Sequence, residues 1–124
     1  RVTGVQTCAL PILFISYSAS ATDENYCMGL LWIDRQADPL QPANWHKAPQ
    51  PVFRTSYENR QYGPGHNSFT QTPEGEDVLV YHARNYTEIE GDPLYDPNRH
   101  TRLKLISWRE DGMPDFGIPP ADTL

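Results

Sequence analysis

Cysteine is scarce, basic residues are outnumbered and no long apolar run occurs, and each shortage removes a class of protein from consideration. Two cysteines, Cys8 and Cys27, are too few for the disulfide framework of a small secreted scaffold. Ten Lys and Arg against sixteen Asp and Glu leave a formal net charge of -6. A chain with that balance has no basic stripe to neutralise phosphates, so nucleic acid is not an expected partner. No window approaches the roughly 18 to 20 consecutive apolar residues of a membrane-crossing helix, and no membrane association is expected. Heptads, a sustained helical period and a clear internal repeat are missing too. Plentiful instead are twelve prolines, eight glycines, seven tyrosines, four phenylalanines and three tryptophans in 124 residues. Proline and glycine break helices and build turns, and aromatic residues suit half-buried pleated surfaces. The composition is that of one all-β domain.

The first twelve residues, RVTGVQTCALPI, stand apart. Back-translated with ordinary codons they resemble a widely used short-read sequencing adapter, and residues 1–12 are therefore expected to be an artefact rather than a native strand or a signal peptide. Without them Cys27 has no disulfide partner, the native start lies upstream of Leu13 by an unknown distance, and localisation is unreadable. From Leu13 the strands follow one another. LFISYS alternates in the period-two manner of a half-buried strand, and CMGLLWID, Cys27 to Asp34, is a second run of strand length within hairpin reach. The proline-rich stretch from Gln36 to Pro51 reads as an irregular connection, with Trp45 expected to pin it to the body. Val52 and Phe53 are placed in a brief pairing, and Gly63, Pro64 and Gly65 are expected to form a turn that delivers His66 and Asn67 to the next strand. Ser68–Gln71, Asp77–Ala83 and Arg102–Arg109 complete a meander, and DGMPDFGIPPADTL reads as a chain leaving the domain, with residues 120–124 a tail. On pattern alone a propeller blade, a sandwich and a jelly roll remain equally open.

Four segments, LFISYSASATDENYCMGLLWI, DPLQPANWHKAPQPVF, YGPGHNSFTQTPEGEDVLVYHAR and LISWREDGMPDFGIP, together resemble glycoside hydrolase family 43. The YSAS strand followed by Y-C-M-G-L, the loop ending W-x-K before P-V-F, and the G-P-G-H-N-S-F stretch occur there in this order. The resemblance runs from Leu13 to about Pro119. It implies a partial five-bladed β-propeller, with residues 13–119 supplying the end of blade four and most of blade five. It further implies an inverting hydrolase with an Asp base, a second orienting Asp and a Glu acid around a central cavity, all three expected upstream of Leu13. No catalytic residue is therefore expected in this chain. Inversion requires two carboxyl groups roughly 6.5 to 9.5 Å apart, leaving room for a water, and an acid of raised pKa.

For the remaining site residues the resemblance assigns His66 to the propeller axis, where it would ligate Ca2+ or an equivalent cation; the plain alternative is a turn histidine bonded to a backbone carbonyl. One imidazole among waters would make a calcium site of modest affinity. Asn67 is a candidate for sugar hydroxyls or for an Asx interaction holding the turn. Arg84 corresponds to a position from which an arginine reaches the bound sugar, with a surface pairing to Asp77, Glu88 or Glu90 as the alternative. His82 reads as a buried or rim histidine rather than a ligand, Trp32 and Trp108 as core, and the carboxylates Glu88, Glu90, Asp92 and Asp96 as a solvated loop. The complete protein is expected to release L-arabinofuranose from arabinan or arabinoxylan, an oligo- or polysaccharide partner. β-Xylosidase or endo-arabinanase action, a non-catalytic carbohydrate-binding β-domain and an inert fragment are the rivals.

Overall fold

The computed structural model describes residues 12–123. Of the segment expected to be an artefact, only Ile12 falls within the described residues, where it opens the first strand opposite Asp34. Strand β1, Ile12–Ala19, exposes Leu13 and Ile15 and turns Phe14 and Ser16 inward, as period-two alternation requires. It pairs antiparallel with β2, Cys27–Asp34, in unbroken register from Ile12–Asp34 to Ala19–Cys27. A short strand β3, His46–Lys47, joins the far side of β2. The loop between β2 and β3 contains a 3-10 turn at Pro42–Asn44. The Trp45 indole donates to the Pro39 carbonyl at 2.9 Å, so this tryptophan closes its own loop instead of pinning it to the body.

The second sheet is a meander of β4, Tyr62–Gln71, β5, Asp77–Arg84, and β6, His100–Leu105. Gly63-Pro64-Gly65 does not turn the chain. It lies inside β4, where the pairing with β5 shifts register twice, between Tyr62 and Gly65 and again between Gly65 and Ser68. Glycine signals a turn and a bulge in the same way, because both need backbone without a Cβ or with positive φ. The expected strand Arg102–Arg109 is likewise broken at Ile106. Its second part, β7, Ser107–Trp108, pairs with β8, Pro114–Asp115.

Met28 and Leu30 from β2, Leu79, Tyr81 and Ala83 from β5, and Phe53 and Phe116 from loops form the buried core. Val52 and Met28 bracket Phe53: Val52 N–H donates to the Met28 carbonyl and Met28 N–H to the Phe53 carbonyl, both at 2.8 Å. Phe53 thereby meets Tyr81 edge-on, with ring centroids 4.9 Å apart, a favoured aromatic geometry. Trp32 packs against this cluster, and Trp108 lies against Phe14 with its indole donating to Asp77 at 2.8 Å. Cys27 is buried and free, its thiol pKa raised by that burial. The tail does not depart at residue 120. Asn59 donates to the Pro119 carbonyl at 2.8 Å, and the Asp122 carboxylate accepts from Asn85 at 2.9 Å and Gln61 at 3.2 Å while pairing with Arg102. Gln61 is fully buried, and Asp122 gives its amide nitrogen a carboxylate acceptor.

Gly63 has φ of +64°, and a Cβ there would sit 2.3 Å from the backbone oxygen of Asp23. Gly75, in the β4–β5 turn, has φ of +85° with open space around it. Replacing Gly75 with Ala should cost about 1–2 kcal/mol of backbone strain alone, whereas Gly63→Ala adds a clash that no rotamer relieves and should cost about 2–4 kcal/mol or more. Denaturant unfolding of the two variants in the full-length protein checks the order; equal losses would show that the Asp23 contact does not constrain the fold.

Candidate functional site

Ser16 and Ser18 are two residues apart on β1 and so share a face. That face meets the bulged part of β4. Ser18 Oγ accepts the backbone N–H of His66 at 2.7 Å, and Ser16 Oγ accepts from the Asn67 side-chain amide at 2.5 Å. These bonds join the two sheets and hold His66 with φ of 52°, a left-handed conformation uncommon for any residue but glycine. Such strain persists only where the surroundings over-determine it. Here the two serines do so from one side and the double bulge from the other. Asn67 thus makes a cross-sheet bond, not an Asx turn. The exposed His66 ring stacks on His82 at 5.8 Å and 24°, and His82 stacks in turn on Tyr26 at 5.8 Å and 13°. His66 is a stacked histidine on the open side of this column rather than a turn histidine tied to a carbonyl.

His82 is half-buried, and its Nδ1 has no hydrogen-bond partner among the described residues. Burial, followed by the charges of Arg99 and His66, pushes its pKa down to about 4. His66 and His82 form part of the wall of an open hollow of about 530 Å³, completed by Leu94, Tyr95, Asp96, Pro97 and Arg99 from the β5–β6 loop.

Arg84 is engaged by the protein's own loops. Its side chain is 2% exposed. Nε donates to Asp96 at 3.0 Å, Nη1 to the Thr22 carbonyl at 2.5 Å and Nη2 to the Pro93 carbonyl at 2.6 Å. The alternative needs correction: Arg84 is no surface arginine, and its carboxylate partner is Asp96, not Asp77, Glu88 or Glu90. A planar fork with several donors can satisfy carbonyls and a carboxylate at once, which is why arginine serves here. Asp96 for its part is not a solvated loop acid. It accepts from the Tyr86 hydroxyl at 2.7 Å, from Arg84 and from the Asn98 N–H at 3.0 Å. The Tyr86 hydrogen bond foremost, then the Asn98 amide and Arg84, hold its pKa below the usual carboxylate range, against the opposing effect of burial. It is an anion built into the wall. Within this loop the two Asp-Pro pairs, Asp92-Pro93 and Asp96-Pro97, are the available sequence signal, since proline restricts both itself and the residue before it.

A calcium ion takes six to eight oxygen ligands. Among the described residues no group of three or more His, Cys, Asp or Glu side chains is placed to hold a metal. His66 offers an imidazole, and Asp96, the carboxylate in the wall of the hollow, is already engaged by Arg84 and Tyr86. The residues present do not fit a protein-built calcium site.

Comparison with known proteins gives a consistent result. The family model described as Glycosyl hydrolases family 43 matches residues 11–114. The chain is 60% identical over 111 residues to an extracellular exo-alpha-(1->5)-L-arabinofuranosidase of Streptomyces avermitilis, covering 89% of this chain and 23% of that protein. It is 55% identical over 111 residues to alpha-L-arabinofuranosidase 43 of Humicola insolens, again 89% of this chain and 23% of the relative. The solved alpha-L-arabinofuranosidase of Lactobacillus brevis superposes with a TM-score of 0.87 at 54% identity, covering 91% of this chain and 35% of that one. The chain therefore spans about a quarter of the length of the curated relatives it matches.

The depressed pKa of His82 makes a pH prediction. Folded His82 stays neutral until about pH 4, while the unfolded chain takes up the same proton near 6.5. Between those values the unfolded state binds more protons, so the contribution of His82 to stability is complete above about 6.5 and is lost as pH falls to about 4. In the full-length protein, His82→Gln should flatten the fall in Tm across that window; an unchanged slope would show that His82 titrates normally.

Proposed function

The chain belongs to glycosyl hydrolases family 43, and from that premise we propose that it is the C-terminal part of a five-bladed β-propeller glycosidase, the end of blade four and most of blade five. The complete protein, on this reading, hydrolyses terminal α-L-arabinofuranosyl units of arabinan or arabinoxylan by single displacement. The 60% identity to an enzyme named as an exo-arabinofuranosidase carries the substrate assignment. On this reading residues 13–119 are the glycosidase portion, residues 1–12 an artefact and residues 120–124 a tail, which packs back through Asp122 onto Gln61 and Asn85.

Physical features of the chain support the reading. Leu13 and Ile15 on β1 and Leu103 and Leu105 on β6 are each 41% exposed or more, and among the described residues β6 pairs with β5 alone. Apolar side chains beside an open strand edge suit a piece of a larger ring and disfavour a free-standing sugar-binding domain. The chemistry also fits a division of labour. A general acid must hold its proton near neutral pH and needs a raised pKa. Asp96, the carboxylate in the hollow, is lowered instead, so it can shape the cavity electrostatically but cannot serve as that acid. We take the Glu acid and both Asp residues to lie in the part of the protein before Leu13. His66 and Asn67 contribute at the seam between the two sheets, where Asn67 can present its amide to sugar hydroxyls, and any cation beside His66 is held mainly by water.

The full-length protein should release arabinose from linear arabino-oligosaccharides with inverted anomeric configuration, read by proton NMR in the first turnovers. A retained anomer would contradict single displacement. The 124-residue chain alone should show no turnover above background, and activity from it would place catalytic carboxylates within these residues.

A further inference from the structure

The second register shift of β4 sends two neighbouring side chains to different partners. Gly65 pairs with His82 and Ser68 with Val80, so His66 and Asn67 together stand opposite Tyr81 alone. Two residues against one make a β-bulge, whose extra residue the ladder leaves unpaired. In an unbulged strand residue 66 would share the face of Tyr81, which is buried in the core between the sheets. With φ of 52° the His66 ring lies instead on His82, whose side chain is on the other face of β5. Asn67 bonds to Ser16 of the facing sheet.

A bulge N–H that the ladder does not pair needs an acceptor elsewhere. Ser18 Oγ supplies it for His66 at 2.7 Å, from the other sheet and 48 residues away in the chain. A slip of β4 by one residue would exchange the faces of His66 and Asn67. The two serines oppose that slip together, because Ser18 binds the backbone of the first residue and Ser16 the side chain of the second. Gly65 completes the seat: a Cβ there would stand 2.2 Å from the Tyr26 ring, which is stacked on His82. Adhesion of the sheets needs no hydroxyl at residue 18, since the apolar core beneath supplies it. What the hydroxyl governs is the direction of one imidazole.

We propose that Ser18 is a positioning residue for the hydrolytic reaction, acting through His66: its hydroxyl holds the bulge in the form that turns the imidazole into the hollow. The proposal rests on the arabinofuranosidase reading above, in which His66 belongs to the site. Ser18 is not among the described residues that line the hollow, whereas His66 is. Its effect on the reaction therefore passes through the histidine. Misplacing a group of a reacting site by about 1 Å can cost on the order of 100-fold in rate, while sugar binding by the rest of the cavity is left in place. Loss of the hydroxyl accordingly falls on kcat more than on KM.

The test measures kcat and KM of the full-length protein on linear arabinotriose for Ser18→Ala, Ser18→Cys and Ser18→Thr, and repeats Ser18→Ala in a His66→Ala background. Removing the acceptor should lower kcat roughly tenfold or more, with KM changed by less than about threefold. Cysteine keeps the shape of serine but accepts hydrogen bonds weakly, so Ser18→Cys should fall with Ser18→Ala, and it carries the test if the alanine variant does not fold. Ser18→Thr keeps the hydroxyl and should retain most of the wild-type kcat. Without the His66 ring, Ser18→Ala should change kcat by less than about twofold, the non-additivity of two residues acting as one unit. An undiminished kcat in the alanine and cysteine variants, a threonine variant as impaired as alanine, or the same loss with and without the His66 ring would overturn the positioning role while the arabinofuranosidase reading stands. A wild type that leaves arabinotriose intact overturns both.

Discussion

A buried guanidinium sets the shape of the open face of this chain. Arg84 ends β5 and reaches in three directions: to Thr22 in the β1–β2 loop, to Pro93 in the β5–β6 loop and to Asp96. The first contact crosses from one sheet to the other. A charge taken from water must be matched on every side or the fold loses stability, so both loops are committed to places where their oxygens meet the arginine. Once they are there, Tyr26 stacks on His82, His82 on His66, and the β5–β6 loop closes the far side of the hollow.

The core beneath holds the two sheets together without specifying that face. Phe53 against Tyr81, with Met28, Leu30 and Leu79 around them, would bind the sheets equally well with other loops above. The double bulge of β4 supplies the link between core and site. It lets the strand change register twice, so that Ser68–Gln71 keeps regular pairing while His66 takes its left-handed conformation against Ser18. Polar bonds at the seam and apolar packing below therefore do different work: the core makes the sheets adhere, and the serines and Arg84 determine what they present.

The strands were legible because period-two alternation and apolar runs are local signals. β2 begins and ends as its sequence suggests, and β1 and β5 are each longer by one residue at an end or both. The resemblance to the family was legible for a different reason, the fixed order of four segments along the chain. Partners distant in sequence could not be read. Arg84 finds Thr22 across 62 residues, and Asp122 finds Gln61 across 61. Nothing in ADTL distinguishes a departing tail from one that returns to a buried amide. Asp96 was grouped with its acidic neighbours because composition does not report burial, and Gly63-Pro64-Gly65 was assigned a turn because the same residues serve a bulge.

Native-state hydrogen exchange on the full-length protein and its Arg84→Met variant tests the clamp most directly. Wild-type amides of Tyr26, in the β1–β2 loop, and of Leu94 and Asn98, in the β5–β6 loop, are bonded at 3.1, 2.9 and 3.0 Å and should be protected. If Arg84 holds both loops, the variant loses protection at all three together while the β4–β5 ladder near Leu79 keeps its own. Loss confined to one loop, or spread evenly through the sheet, would contradict the account.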